Sequence, residues 1–127
     1  MKMLSLIALG MLSIPALIKA QTIGPCHPYP GAAAGDVLTL ISNYLNNDET
    51  PTVTEGTMAN VTYGTAAIVT TNVAGVGAIT YDDMVRRALT AVGSCALSDL
   101  GSMSGSYVTS DGQRTCYLFA GSAASCV

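Results

Sequence analysis

Four cysteines constrain this chain more than any other feature. They stand at Cys26, Cys95, Cys116 and Cys126. An even number in a short chain reads as a disulfide framework, provided that the chain reaches an oxidising compartment. The first twenty residues offer that route. Met1-Lys2-Met3 supplies a short positive start, residues 4–17 form an apolar run broken only by small or turn-forming residues, and Ala20 suits cleavage. The run is shorter than the roughly 20 apolar residues that a membrane span needs. Residues 1–20 therefore read as a signal peptide and residues 21–127 as one secreted domain. A domain of this size buries a modest core, so two crosslinks of roughly 2–4 kcal/mol each matter to it. The expected pairing is Cys26–Cys126, tying the two ends, with Cys95–Cys116, tying a helix end to a sheet. Spacing alone leaves the other two connectivities open.

Charge narrows the partners. Removing Lys2 and Lys19 takes the formal charge from −3 to −5. A nucleic-acid binder normally shows a basic face, and docking on anionic lipid needs the same. Neither fits. The expected state is a monomer.

Residues 80–116 hold the clearest local pattern. Apolar Tyr81, Met84, Val85, Ala88, Leu89 and Val92 follow the spacing of a helix with one buried face. Thr80 can cap it, with Asp83 three residues on. Asp82 and Asp83 suit the positive end of the helix dipole. Each stands four residues before an arginine, Arg86 or Arg87, so two surface pairs can form. Gly93 is a natural stop, and Cys95 becomes the tether of the helix.

The rest of the chain supplies a second helix and a sheet. Residues 21–35 contain Pro25, Pro28 and Pro30 and read as an extended arm. Asp36 is the expected cap of a helix whose apolar face is Val37, Leu38, Leu40, Ile41, Tyr44 and Leu45, ending at Asn46-Asn47-Asp48. Residues 58–71 are rich in β-branched side chains and uncharged, which predicts strand. Val61, Tyr63, Ala67 and Val69 are expected to share a face, with Ile68 opposed. Gly64 marks a bulge or a break between two strands. Asp111-Gly112 between two β-prone runs predicts a hairpin. The expected fold class is α+β: a two-layer sandwich with two helices on one face of a small antiparallel sheet, disulfide-linked. Two strands in residues 58–71 would bring the sheet to four.

Chemistry-bearing patterns are sparse. His27 is the single histidine, and it lies in the arm between Cys26 and Pro28. The string Gly101-Ser102-Met103-Ser104-Gly105 resembles a nucleophile elbow but holds Met103 where the serine must be. Gly75-Val76-Gly77 lacks the third glycine and the strand context of a phosphate loop. Asp48-Glu49 and Asp82-Asp83 are neighbours whose side chains diverge, unlike the facing carboxylates of a glycosidase. No metal site and no cofactor is expected, since the cysteines serve better as disulfides. Arg86 and Arg87 read as a solvated, paired helix face, as a partner contact, or as a dibasic processing site, which a helix disfavours. Asn60-Val61-Thr62 is an N-glycosylation sequon, which matters if the chain enters the secretory route.

Asp36-Val37-Leu38, Tyr63-Gly64-Thr65-Ala66-Ala67, Asp82-Asp83-Met84-Val85 and Gly101-Ser102-Met103, with the hairpin that carries Cys116, resemble a family in their order. The chain resembles secreted fungal effectors related to the necrosis-inducing extracellular proteins of leaf-mould fungi and to the killer toxins of smut fungi. Those relatives often carry cysteines beside the first helix and in the strand after Gly-Thr. Here the positions near Asp36 and Ala66 have none. The resemblance implies a non-catalytic α/β-sandwich effector whose partner is a host or competitor protein or a cell-surface component. Two other readings stand beside it. One is a small secreted hydrolase of ribonuclease-like type, which would draw on His27, Glu49 and Glu55. The other is a structural surface protein.

Overall fold

The computed structural model describes residues 21–54, 58–73, 79–95 and 101–126. The expected signal peptide, Glu55, the Gly75-Val76-Gly77 loop and residues 97–100 lie outside them. The elements are β1 (Gln21–Ile23), β2 (Ala32–Ala33), α1 (Ala34–Tyr44), β3 (Val53–Thr54), β4 (Met58–Tyr63), β5 (Ala66–Thr70), α2 (Tyr81–Cys95), β6 (Ser102–Met103), β7 (Gly105–Thr109) and β8 (Arg114–Phe119). A 3-10 helix, Ala120–Ser125, follows.

The class is α+β. Six strands form one antiparallel sheet in the order β1-β7-β8-β5-β4-β3, and β2 pairs with β6 in a separate two-stranded ladder. The sheet exceeds the expected four strands because two short segments, β1 and β3, extend its edges. Both helices pack on one face, where Val37, Leu40, Ile41, Met84, Val85, Ala88, Ala91 and Val92 meet Ala66, Ile68 and Tyr117. The opposite face carries Ala67, Val69, Cys116, Leu118 and Cys126, covered by Tyr29 of the arm and by Ala120 and Ala123 of the 3-10 helix.

Local signals place most of these elements. The capping box forms as its spacing predicts: the Thr80 amide donates to Asp83 Oδ2 at 3.0 Å, and the Asp83 amide donates to Thr80 Oγ1 at 3.0 Å. The α2 helix nonetheless runs through Gly93 to Cys95. Its buried stripe takes in Ala91 and leaves Leu89 42% exposed. Leu38 in α1 and Leu45 just past its end are likewise exposed. The stripe on each helix is narrower than the apolar pattern, because each helix touches the sheet along one line.

Three expectations are corrected. First, Val61 and Tyr63 do not share a face with Ala67 and Val69, because Gly64 marks the break between two strands. It opens a two-residue turn, at φ +56, between β4 and β5. Asp36 also sits over it, with a carboxylate oxygen 2.5 Å from where a Cβ would stand. Glycine answers both demands. The turn pairs Val61 with Ile68 and Tyr63 with Ala66. Val61 and Tyr63 therefore share the helix-side face with Ile68, while Ala67 and Val69 lie on the other. Second, α1 begins at Ala34 without a side-chain cap, so Asp36 falls within the first turn. Third, the disulfides are Cys26–Cys95 and Cys116–Cys126. Cys116 points to the face away from the helices, alongside Val69 and Leu118, so the sheet stands between it and Cys95.

The arm is a strap. After β1 pairs with β7, Gly24 donates to Ser106 O and His27 donates to Ser104 O. The Phe119 amide donates to Pro30 O at 2.9 Å, and the Ala33 amide donates to Thr65 Oγ1 at 2.9 Å. Ser104, Phe119 and Thr65 mark the same end of β7, β8 and β5, so the arm crosses the ends of three adjacent strands. Backbone groups there are satisfied by the chain itself.

In the chain-entropy picture the Cys26–Cys95 bond, spanning 69 residues, contributes about 4 kcal/mol and the Cys116–Cys126 bond, spanning 10, about 3 kcal/mol. Chemical denaturation is expected to show a greater loss for Cys26→Ser/Cys95→Ser than for Cys116→Ser/Cys126→Ser. Gly105 lies opposite the buried ring of Tyr117, and a Cβ there would come within 2.5 Å of Tyr117 Oη. Gly105→Ala is expected to cost about 1–3 kcal/mol, read as a fall in the denaturation midpoint.

Candidate functional site

The two arginines singled out by the sequence lie on neighbouring positions of α2 and face different partners. Arg86 donates from Nε to Asp82 Oδ2 at 2.7 Å and from Nη2 to Asn46 Oδ1 at 2.9 Å. The Asn46 amide in turn donates to Asp82 Oδ1 at 2.6 Å. Asn46 follows the end of α1 with φ +66, a left-handed conformation that asparagine tolerates. The segment after it docks on the start of α2: the Tyr81 amide donates to Glu49 O at 3.0 Å and the Asp82 amide to Asn47 O at 2.9 Å. The rings of Tyr44 and Tyr81 pack at a tilt of 34° beside this junction, centroids 4.8 Å apart. The network thus joins the exit of one helix to the entry of the other.

Arg87 does not take the partner that its spacing offers. Asp83 is engaged with Thr80, and Arg87 Nη1 donates to Gln113 Oε1. Gln113 sits in the β7–β8 turn and is buried. A polar turn residue carries no sign in the sequence that it folds inward, so this partner was not legible. For Asn46 the sequence marks only the end of the helix; an asparagine just past an apolar repeat is also a signal for a left-handed residue, but nothing local names Arg86 as its partner.

A second clip holds α1 to the sheet. Asp36 Oδ2 accepts from both the amide and the hydroxyl of Thr65, each at 2.8 Å. The Thr65 amide, then its hydroxyl, hold the Asp36 carboxyl below the usual carboxylate range, against a smaller opposing effect of burial. The Asn46 amide, then Arg86, do the same for Asp82.

The remaining candidates scatter over the molecule. His27 is exposed in the arm with φ +59. It follows Cys26, which is bonded to Cys95 at the end of α2, whereas Glu49 binds the start of α2. The 15 residues of that helix separate them by about 20 Å. His27 and Glu49 therefore cannot share one cleft. Met103, at the would-be nucleophile position, is buried. Among the described residues, no group of three or more His, Cys, Asp or Glu is arranged to hold a metal ion, and no helix is long and apolar enough to cross a membrane. Asn60 is exposed on β4. Tyr63 and Phe119 flank Ala66 across the sheet, both substantially exposed. The strand pattern did not reveal this pair, because it emerges only from the register.

The two depressed carboxyls carry a pH signature. A group whose pKa is lower in the folded state adds stability above its unfolded value, and that stability is lost as pH falls through the folded value. Asp36→Asn and Asp82→Asn are each expected to lower the melting temperature at pH 7. Below about pH 4, the range of an ordinary carboxylate, the deficit should shrink, read as a flatter acid limb in a melting-temperature profile. Comparison of the chain with protein-family models, with curated proteins and with solved structures returned no match.

Proposed function

We propose that this chain is a small secreted effector of the killer-toxin-like kind, acting by binding outside the producing cell and without catalysis. The observation that carries this reading is the disulfide framework: all four cysteines are paired, one bond tying the arm to α2 and the other tying β8 to the end of the 3-10 helix. Such bonds persist in oxidising compartments, and residues 1–20 have the pattern of a signal peptide. The placement of charged groups adds support. Asp36, Asp82, Arg86 and Arg87 are held by intramolecular bonds that join elements, and Asp83 closes the cap of its own helix. This favours a structural role for the Arg86-Arg87 pair over a contact role. The separation of His27 from Glu49 disfavours the hydrolase reading. Exposed aromatic rings at Tyr63 and Phe119 are of the type enriched in recognition surfaces. The resemblance to fungal effectors points to a host or competitor protein, or a cell-surface component, as the partner.

The test is to add purified, oxidised protein to plant tissue and to cultures of competing fungi. Cell death or growth arrest is expected, abolished by prior reduction or by Cys26→Ser/Cys95→Ser and unchanged in His27→Ala. Activity that survives reduction but is lost in His27→Ala would overturn the proposal, as would the absence of any response in all targets.

A further inference from the structure

The sequon Asn60-Val61-Thr62 lies on β4, and the fold gives it a distinctive place. Asn60 and Thr62 are exposed, while Val61 between them is buried on the helix-side face. The two residues the sequon needs therefore project together from the opposite face of the strand. The outer neighbour of β4 is β3, which pairs only Val53 with Ala59 and Thr54 with Met58. Continuing that register would bring Thr52 to Asn60 and Pro51 to Val61. Proline has no amide to donate and ends a ladder. Among the described residues, β4 is thus an open sheet edge from Asn60 onward, ending at the exposed ring of Tyr63.

An open edge is a template for pairing with another chain, and folded proteins shield such edges. This one has no lysine, no proline and no charge in Asn60-Val61-Thr62-Tyr63. We infer that Asn60 carries an N-linked oligosaccharide that shields the open edge of β4 against edge-to-edge association. The glycan is attached to the asparagine amide nitrogen as the chain enters the secretory route. The folded domain then holds it in solvent, since Asn60 is exposed and the strand beyond it unpaired. A bulky, hydrated group at the first open position obstructs the approach of a second strand. The inference rests on the secreted reading above.

The experiment uses the full chain expressed in a eukaryotic secretory host. Intact mass is measured before and after treatment with a peptide N-glycosidase, in medium and in cells separately. The expected result is protein in the medium that loses its carbohydrate mass on treatment, with Asn60 converted to aspartate in the peptide map. Asn60→Gln and Thr62→Ala should each abolish the mass loss. Both variants, and the enzymatically deglycosylated protein, should sediment as dimers or larger species at concentrations where the glycosylated protein stays monomeric. Secreted protein with no mass loss overturns the glycan while leaving secretion intact. Loss of the glycan with no change in sedimentation overturns the shielding role. Protein found only in cells with residues 1–20 retained overturns the secreted reading and, with it, this inference.

Discussion

The bond between Cys26 and Cys95 is the constraint on which the other contacts lean. It joins the arm to the last turn of α2. That turn carries Val92 and Ala91 into the core, and the arm carries the bonds that close one end of the sheet. Several of those bonds lie at exposed positions, where hydrogen bonds to water compete with them. Fixing the arm at Cys26 raises the local concentration of its donors and acceptors beside their partners. The helix layer and the strap thereby become one mechanical unit.

The opposite face depends on a smaller device of the same chemistry. The central strand β5 is buried at every position from Ala66 to Thr70, so both of its faces need cover. Helices cover one. On the other, Tyr29 and the 3-10 helix lie over Ala67, Val69 and Leu118, and Cys116–Cys126 holds that helix down. On the helix side, Thr70 and Thr115, directly opposed in the ladder, bond through their hydroxyls at 2.7 Å, which satisfies two buried polar groups at once. A segment so short could not stay over the sheet through its few apolar contacts alone.

What the sequence made legible was whatever depended on near neighbours. The capping box at Thr80 and Asp83, the two amphipathic helices, the Asp111-Gly112 hairpin and the Asp82–Arg86 pair are all encoded within a few residues. The cysteine pairing was not. Alternation along β8 places Cys116 with Leu118 and against Tyr117, yet nothing local says which of those two sets faces the helices. The same ambiguity misplaced Val61 and Tyr63, because a two-residue turn reverses the parity that an unbroken strand would keep. Segments such as β1 and β3 are too short to show any alternation; they are strands because a longer neighbour pairs with them. Arg87 illustrates the limit for the candidate site. Its partner Gln113 lies 26 positions away and was brought there by the fold.

The strap also bears on the order in which the molecule can be made. Residues 24–34 precede by some 70 to 90 positions the strands whose ends they bridge at Ser104, Ser106 and Phe119, so the strap is synthesised long before anything exists for it to cross. Domains of this kind complete folding only after such distant segments meet, and the entropy of closing the intervening loop makes that step slow. Vectorial emergence nevertheless favours the observed connectivity. Cys26 meets Cys95 as its first available partner, and Cys116 and Cys126 appear afterwards, close together and with no other thiol left to compete. The two bonds are consecutive along the chain, so oxidation in the order of synthesis leads to the native set without reshuffling.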